Sequence, residues 1–227
     1  MSGTLPIETV LPALRSAVAA NANCLLVAQP GAGKTTRVPL ALLEDTPPGG
    51  RWLLLEPRRV AARLAAAFLA DQLGESVGNT VGYRVRGDSK TSSQTRLEVV
   101  TQGILIRMLQ DDPTLSDVTG VIFDEFHERS LDADLGLTLM IEAQQVLRED
   151  LKILIMSATL DTRALLDLLG PETPLIECPG RQWPVTTFYR NASLQTPPVT
   201  HQANVIIEAL AAHDGDILVF LPGQREI

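Results

Sequence analysis

The sequence predicts an α/β fold built on a doubly wound parallel sheet. Short apolar runs alternate with segments of helical length, and a glycine-rich turn follows the first full run directly. The runs are continuously apolar rather than alternating, as expected of strands covered on both faces.

Each element follows in order. Pro6 opens a helix that continues through about Ala20, since proline suits a first helical turn. Strands are predicted at Cys24–Ala28, Trp52–Leu55, Leu97–Val100, Val121–Phe123 and Ile153–Met156, each bounded by turn signals. Covering helices fall at Lys34–Glu44, Arg58–Leu73, Gly103–Leu109, Asp132–Leu147 and Thr162–Leu169. From Gly170 on, Pro171, Pro174, Pro179, Gly180, Pro184, Pro197 and Pro198 punctuate a stretch without a long helix. We therefore divide the chain into a first domain at 1–178, a linker at 179–200 and a further segment at 201–227. In that last segment His201–Ala212 reads as a helix and Asp216–Leu221 as a buried strand, the opening of a second α/β domain whose remainder is absent from this sequence.

Composition narrows the function classes. A chain of 227 residues with 45% hydrophobic and 20% charged residues suits a folded soluble protein, and no apolar run reaches the ~20 residues of a membrane span. Met1–Thr9 lacks the basic start and apolar stretch of a secretory signal. Cys24 and Cys178 read as small reduced core residues, and a cytoplasmic setting without a membrane partner is expected. The net charge of −8 argues at first against a nucleic-acid partner. Between Arg51 and Arg107, however, nine Lys and Arg face five acids, a net of +4, which fits a cleft tracking a phosphate backbone. Chance clustering of solvated arginines is the alternative.

Chemistry is concentrated in two places. Gln29-Pro30-Gly31-Ala32-Gly33-Lys34-Thr35-Thr36 sits where the first strand meets a helix. Gly31 and Gly33 let the backbone approach a phosphate, and the helix start turns N–H groups toward the anion. Lys34 supplies charge to the outer phosphates, and Thr35 offers a hydroxyl to Mg²⁺. Ala28 stands where the strict pattern has its first glycine. The second place is Asp124-Glu125, after the run Val121–Phe123 and hence at the carboxyl end of the sheet. Two neighbouring acids repel unless they share a cation. Asp124 would hold Mg²⁺, largely through water, and Glu125, beside the same ion, would orient and deprotonate an attacking water.

Asp124-Glu125-Phe126-His127-Glu128-Arg129-Ser130 resembles motif II of the DEAH-box helicases, with Phe126 in place of the usual alanine, and Ser157-Ala158-Thr159 resembles their motif III. Glu56-Pro57-Arg58-Arg59-Val60-Ala61-Ala62 is similar to motif Ia, Thr101-Gln102-Gly103 to motif Ib, and Phe220-Leu221-Pro222-Gly223-Gln224 to the start of motif IV. The wording is nearest to the bacterial HrpB type, and the likeness runs from about Leu5 to Ile227.

The resemblance implies a RecA-like motor domain of an ATP-dependent RNA helicase, followed by the start of a second one. Asp124, Glu125, Lys34 and His127 are then the catalytic set, and residues Gln29 to Thr36 hold ATP. Arg58, Arg59, Arg86, Thr101 and Gly103 meet nucleic-acid backbone, while Ser157 or Thr159 takes the bond from His127 and the pair couples the two sites. Gly87 replaces an aromatic expected beside Arg86. The family also implies loose base selectivity, so other nucleoside triphosphates stand beside ATP, and single-stranded DNA stays open beside RNA. Its transferring-phosphate arginines lie in the second motor domain, so this piece alone is expected to bind nucleotide but hydrolyse it poorly and unwind nothing. Two other readings remain: a phosphate-loop kinase or small NTPase, and a binding module that uses nucleotide only to set its shape.

Overall fold

The computed structural model describes residues 5–158, 162–180, 184–192, 197–221 and 223. The chain divides into two compact units, Met1–Arg181 and Gln182–Ile227.

The first unit is an eight-stranded sheet between two layers of helices. Its strands are β1 (Asn23–Ala28), β2 (Arg51–Glu56), β3 (Val81–Val85), β4 (Asp88–Lys90), β5 (Leu97–Thr101), β6 (Val118–Phe123), β7 (Lys152–Ser157) and β8 (Leu175–Cys178), in the spatial order β4-β3-β5-β2-β6-β7-β1-β8. Every pairing is parallel except β3 with β4. Ala28, Glu56, Thr101, Phe123, Ser157 and Cys178 therefore end on one rim.

Alternation along the strands feeds two cores. Leu26, Leu54, Ile122 and Leu154 face one side, packed by α1 (Leu11–Ala20), α2 (Lys34–Glu44) and α3 (Arg59–Gln72). Leu25, Leu53, Val121 and Ile153 face the other, packed by α4 (Gln102–Asp111), α5 (Leu131–Val146) and α6 (Thr162–Leu169). Both faces are covered, which is why these strands read as unbroken apolar runs.

The five predicted strands form, lengthened by one to three residues, and the covering helices stand where expected. The N-terminal segment differs: Pro6–Thr9 is a 3-10 turn, and the α-helix begins only at Leu11. The sheet also holds three strands that the apolar pattern does not predict. Gly82 and Arg84 interrupt the apolar pattern of β3, β4 is a polar edge hairpin arm, and β8 lies exposed at the other edge amid prolines.

In the second unit, α7 (Pro198–Ala212) forms, with Arg190 paired to Glu208 at 2.6 Å. The expected strand at Asp216–Leu221 does not. Leu218 and Phe220 are 79% and 84% exposed, and among the described residues no neighbouring strand offers this segment a ladder. Pro222 and Gln224 lie outside the described residues.

Candidate functional site

The phosphate loop joins the carboxyl end of β1 to the start of α2. Gly31 and Gly33 take left-handed φ values of 77° and 97°, and Gly33 is the N-cap of α2. Gly33 has a second reason to be glycine, because a Cβ there would lie 2.8 Å from Leu5 Cδ1. The segment before the first helix thus backs the loop, and Ile7 N–H donates to the carbonyl of Ala32 at 3.0 Å. At the other edge the chain leaving β8 presses on Gln29, whose side chain a Cβ on Gly180 would overlap. Neither brace carries a sequence signal near the loop.

Lys34 is 4% exposed and donates from Nζ to the carbonyl of Ala28 at 2.8 Å. Thr35 Oγ1 donates to Asp124 Oδ2, and Thr36 Oγ1 to the Gly33 carbonyl at 3.2 Å. One hydrogen bond therefore joins the glycine-rich turn to the acid pair across 89 residues of sequence. Asp124 is 2% exposed. Burial pushes its carboxyl up to about 6, against the pull of the Thr35 hydroxyl and the Lys34 charge.

Glu56, at the end of β2, is a third carboxyl here. Burial pushes it up to about 8, and the negative charges of Asp124, Glu125 and Glu128 add to the rise. A rim that gathers three acids beside a buried lysine suits an ion-filled site. Among the described residues no three His, Cys, Asp or Glu side chains form a metal-ligand set of their own.

The acid loop is bent tightly. Glu125 and Arg129 adopt φ of 48° and 41°, unusual for residues with a Cβ. Phe126 anchors the bend: it is buried, meets Phe123 edge-on at 5.9 Å and lies under the Arg129 guanidinium. His127 Nδ1 lies 3.3 Å from Glu125 Oε2 and 3.4 Å from the backbone nitrogen of Ala158. A proton on Nδ1 would be given to Glu125, and without it the same atom accepts from Ala158 N–H. Ser157 is buried beside it, and Thr159 lies outside the described residues.

The residues read as nucleic-acid contacts separate into two groups. Arg59, Arg86, Thr101 and Gly103 line a cleft of about 540 Å³ together with Arg107 and Asp132. Arg58 does not line that cleft; its Nη2 pairs with Glu128 at 3.2 Å.

Sheet order and phosphate loop define the class, a RecA-like α/β protein of the phosphate-loop kind. Residues 8–168 match the DEAD/DEAH box helicase family, and the chain belongs to it. It is 49% identical over 230 residues to the ATP-dependent RNA helicase HrpB of Escherichia coli, covering 99% of this chain and 28% of that protein. It is 34% identical over 235 residues to the probable ATP-dependent RNA helicase DHR2 of Saccharomyces cerevisiae, covering all of this chain and 31% of that one. Two crystal structures are similar. One, of the E. coli DEAH/RHA helicase HrpB, gives a TM-score of 0.89 at 49% identity over 98% of this chain; the other, of the E. coli DExH-box NTPase HrpB, gives 0.81 at 48% over all of it, each with 28% of the solved chain covered. The chain thus spans under a third of the length of these relatives. Among the described residues no helix is long and apolar enough to cross a membrane.

Proposed function

We propose that this chain is the nucleotide-binding motor part of an ATP-dependent RNA helicase. The observation that carries the reading is the bond from the Thr35 hydroxyl to Asp124, beside the buried Lys34. A hydroxyl, a carboxylate and an ammonium meeting at the strand ends suit a metal-bound triphosphate. ATP, when bound, supplies the terminal phosphoanhydride bond whose hydrolysis drives the motor, and Mg²⁺ offsets the phosphate charge. Lys34, bonded here to the Ala28 carbonyl, would supply charge to the outer phosphates, and the backbone N–H groups of Gly31–Thr36 would hold them. Thr35 and Asp124 would hold the metal, Asp124 mostly through water, and Glu125 would orient the attacking water and take its proton. His127 links Glu125 to the backbone of Ala158, just past β7, and through that segment couples hydrolysis to RNA.

Arg59, Arg86, Thr101 and Gly103 address sugar and phosphate, so binding carries little base preference. Residues 201–227 begin a second motor domain after a linker at 179–200, and the protein works in the cytoplasm. The two helicases named above support RNA over DNA as the track.

The test is NTP turnover by the full-length protein, titrated with single-stranded RNA and DNA at matched salt. Stimulation by RNA is expected, with Glu125→Gln abolishing turnover while nucleotide still binds. Turnover indifferent to both nucleic acids would favour a phosphate-loop kinase or small NTPase. Full function in Glu125→Gln would favour a module that uses nucleotide only for shape.

A further inference from the structure

Two side chains from the motif Ia and Ib segments grip the acid loop. Arg58, at the start of α3, donates from Nη2 to both carboxylate oxygens of Glu128 at 3.2 Å. Gln102, at the start of α4, accepts from Ser130 Oγ at 2.7 Å, and the same oxygen caps α5 by accepting from Ala133 N–H at 3.0 Å. The first grip holds the middle of the loop and the second its exit.

The middle grip leads straight back to Glu125. Glu128 N–H donates to the carbonyl of Glu125 at 2.9 Å, so the two acids form opposite ends of one short turn. Glu125 sits in the left-handed region within that turn. Phe126 is fixed in the core and Arg129 pairs with Asp134, five residues along the same segment, at 3.0 Å, so Arg58–Glu128 is the ion pair that ties this loop to the start of α3. That pair is open to solvent, with the Arg58 side chain 72% exposed.

We infer that Glu128 is a positioning residue: it occupies Arg58 while RNA is absent, and gives it up to a backbone phosphate when RNA arrives, changing the setting of Glu125. The inference rests on the helicase reading above. Glu128 occupies the Nη2 edge of the exposed Arg58 guanidinium, and a backbone phosphate approaching that edge competes with it as a second anionic acceptor. Release of Glu128 loosens the turn whose other end is Glu125. Gln102 keeps the exit of the loop in place during the exchange, so the movement is confined to residues 125 to 128.

The competition gives Glu128→Gln an unusual signature in the full-length protein. Freed of its carboxylate rival, Arg58 takes RNA more readily, and half-saturation should fall by up to about fivefold, the range of an exposed ion pair. The ratio of RNA-stimulated to basal kcat should fall as well, because occupancy of Arg58 no longer moves the turn. Glu128→Asp, which keeps the charge, should restore part of the ratio. In an Arg58→Gln background, Glu128→Gln should change the ratio no further. A merely structural role would weaken RNA binding and lower basal turnover, with a drop in thermal stability. Simple removal of a negative charge near RNA would tighten binding and leave the ratio intact. Either of those results, or additive effects in the double variant, overturns the inference. If the unaltered protein is not stimulated by RNA at all, the helicase reading itself fails and takes this inference with it.

Discussion

Replacing Glu56 with glutamine tests the electrostatics of the rim without touching the phosphate loop. The carboxyl is 5% exposed and raised from an ordinary 4.5 to about 8, by burial first and by Asp124, Glu125 and Glu128 after it. The unfolded chain releases this proton near pH 4.5, whereas the folded protein keeps it to about 8. Folding therefore holds an extra proton across that window, and stability falls as pH rises through it. At ~1.4 kcal/mol per unit the full shift caps the loss near ~5 kcal/mol. Relaxation of the protein around the charge, equivalent to an effective dielectric well above that of a dry interior, reduces it to on the order of 2–3 kcal/mol. Asp124 shifts in the same direction but only to about 6, so its share of the slope ends there. The deciding window is thus pH 6 to 8. Urea unfolding of the nucleotide-free chain should show stability falling across it, while Glu56→Gln stays flat and ends more stable at pH 8. Parallel curves for the two proteins between pH 6 and 8 would refute the reasoning.

Other perturbations separate bracing from chemistry. Gly33→Ala places a Cβ at φ 97° and against Leu5, and should cost more than ~1 kcal/mol in denaturant unfolding and weaken nucleotide binding in calorimetry. Phe126→Ala introduces the residue usual in the family but removes the ring that meets Phe123, so unfolding should detect a loss of ~3 kcal/mol. Glu98→Ala strips the shared partner from Arg51 and Arg84, which reach it at 2.7 and 2.8 Å; a loss of ~3 kcal/mol or more in thermal or urea unfolding is expected, with RNA binding by the folded fraction unchanged.

The central strands were legible because burial on both faces leaves a plain mark, an unbroken apolar run. Edge strands bear no such mark. β3 carries Gly82 because a Cβ there would press to within 2.5 Å of the Lys90 carbonyl, and β8 keeps only Cys178 buried. The phosphate loop was legible for a different reason: its parts are contiguous, so local spacing states the chemistry. Glu56, Ile7, Gly180 and the Arg58–Glu128 pair act across 25 to 151 residues of sequence, where spacing states nothing.

Charge is the instructive middle case. The basic excess between Arg51 and Arg107 exists, yet the fold spends much of it internally. Arg51 and Arg84 hold the fully buried Glu98, Arg63 holds Asp88, and Arg96 donates to the carbonyls of Thr46 and Pro47. Arg59, Arg86 and Arg107 remain to line one cleft, opposite a single acid, Asp132. Net charge along a segment thus reports how many cations are available and says nothing of their direction, which is set by whichever acid or carbonyl the sheet register brings beside them. Glu98 on β5 lies between β2 and β3, so the arginines of those two strands turn inward to it. Arg59 and Arg107 lie on helices beyond the strand ends and, among the described residues, pair with no such acid. A backbone phosphate is the ligand of matching charge for a cleft built that way.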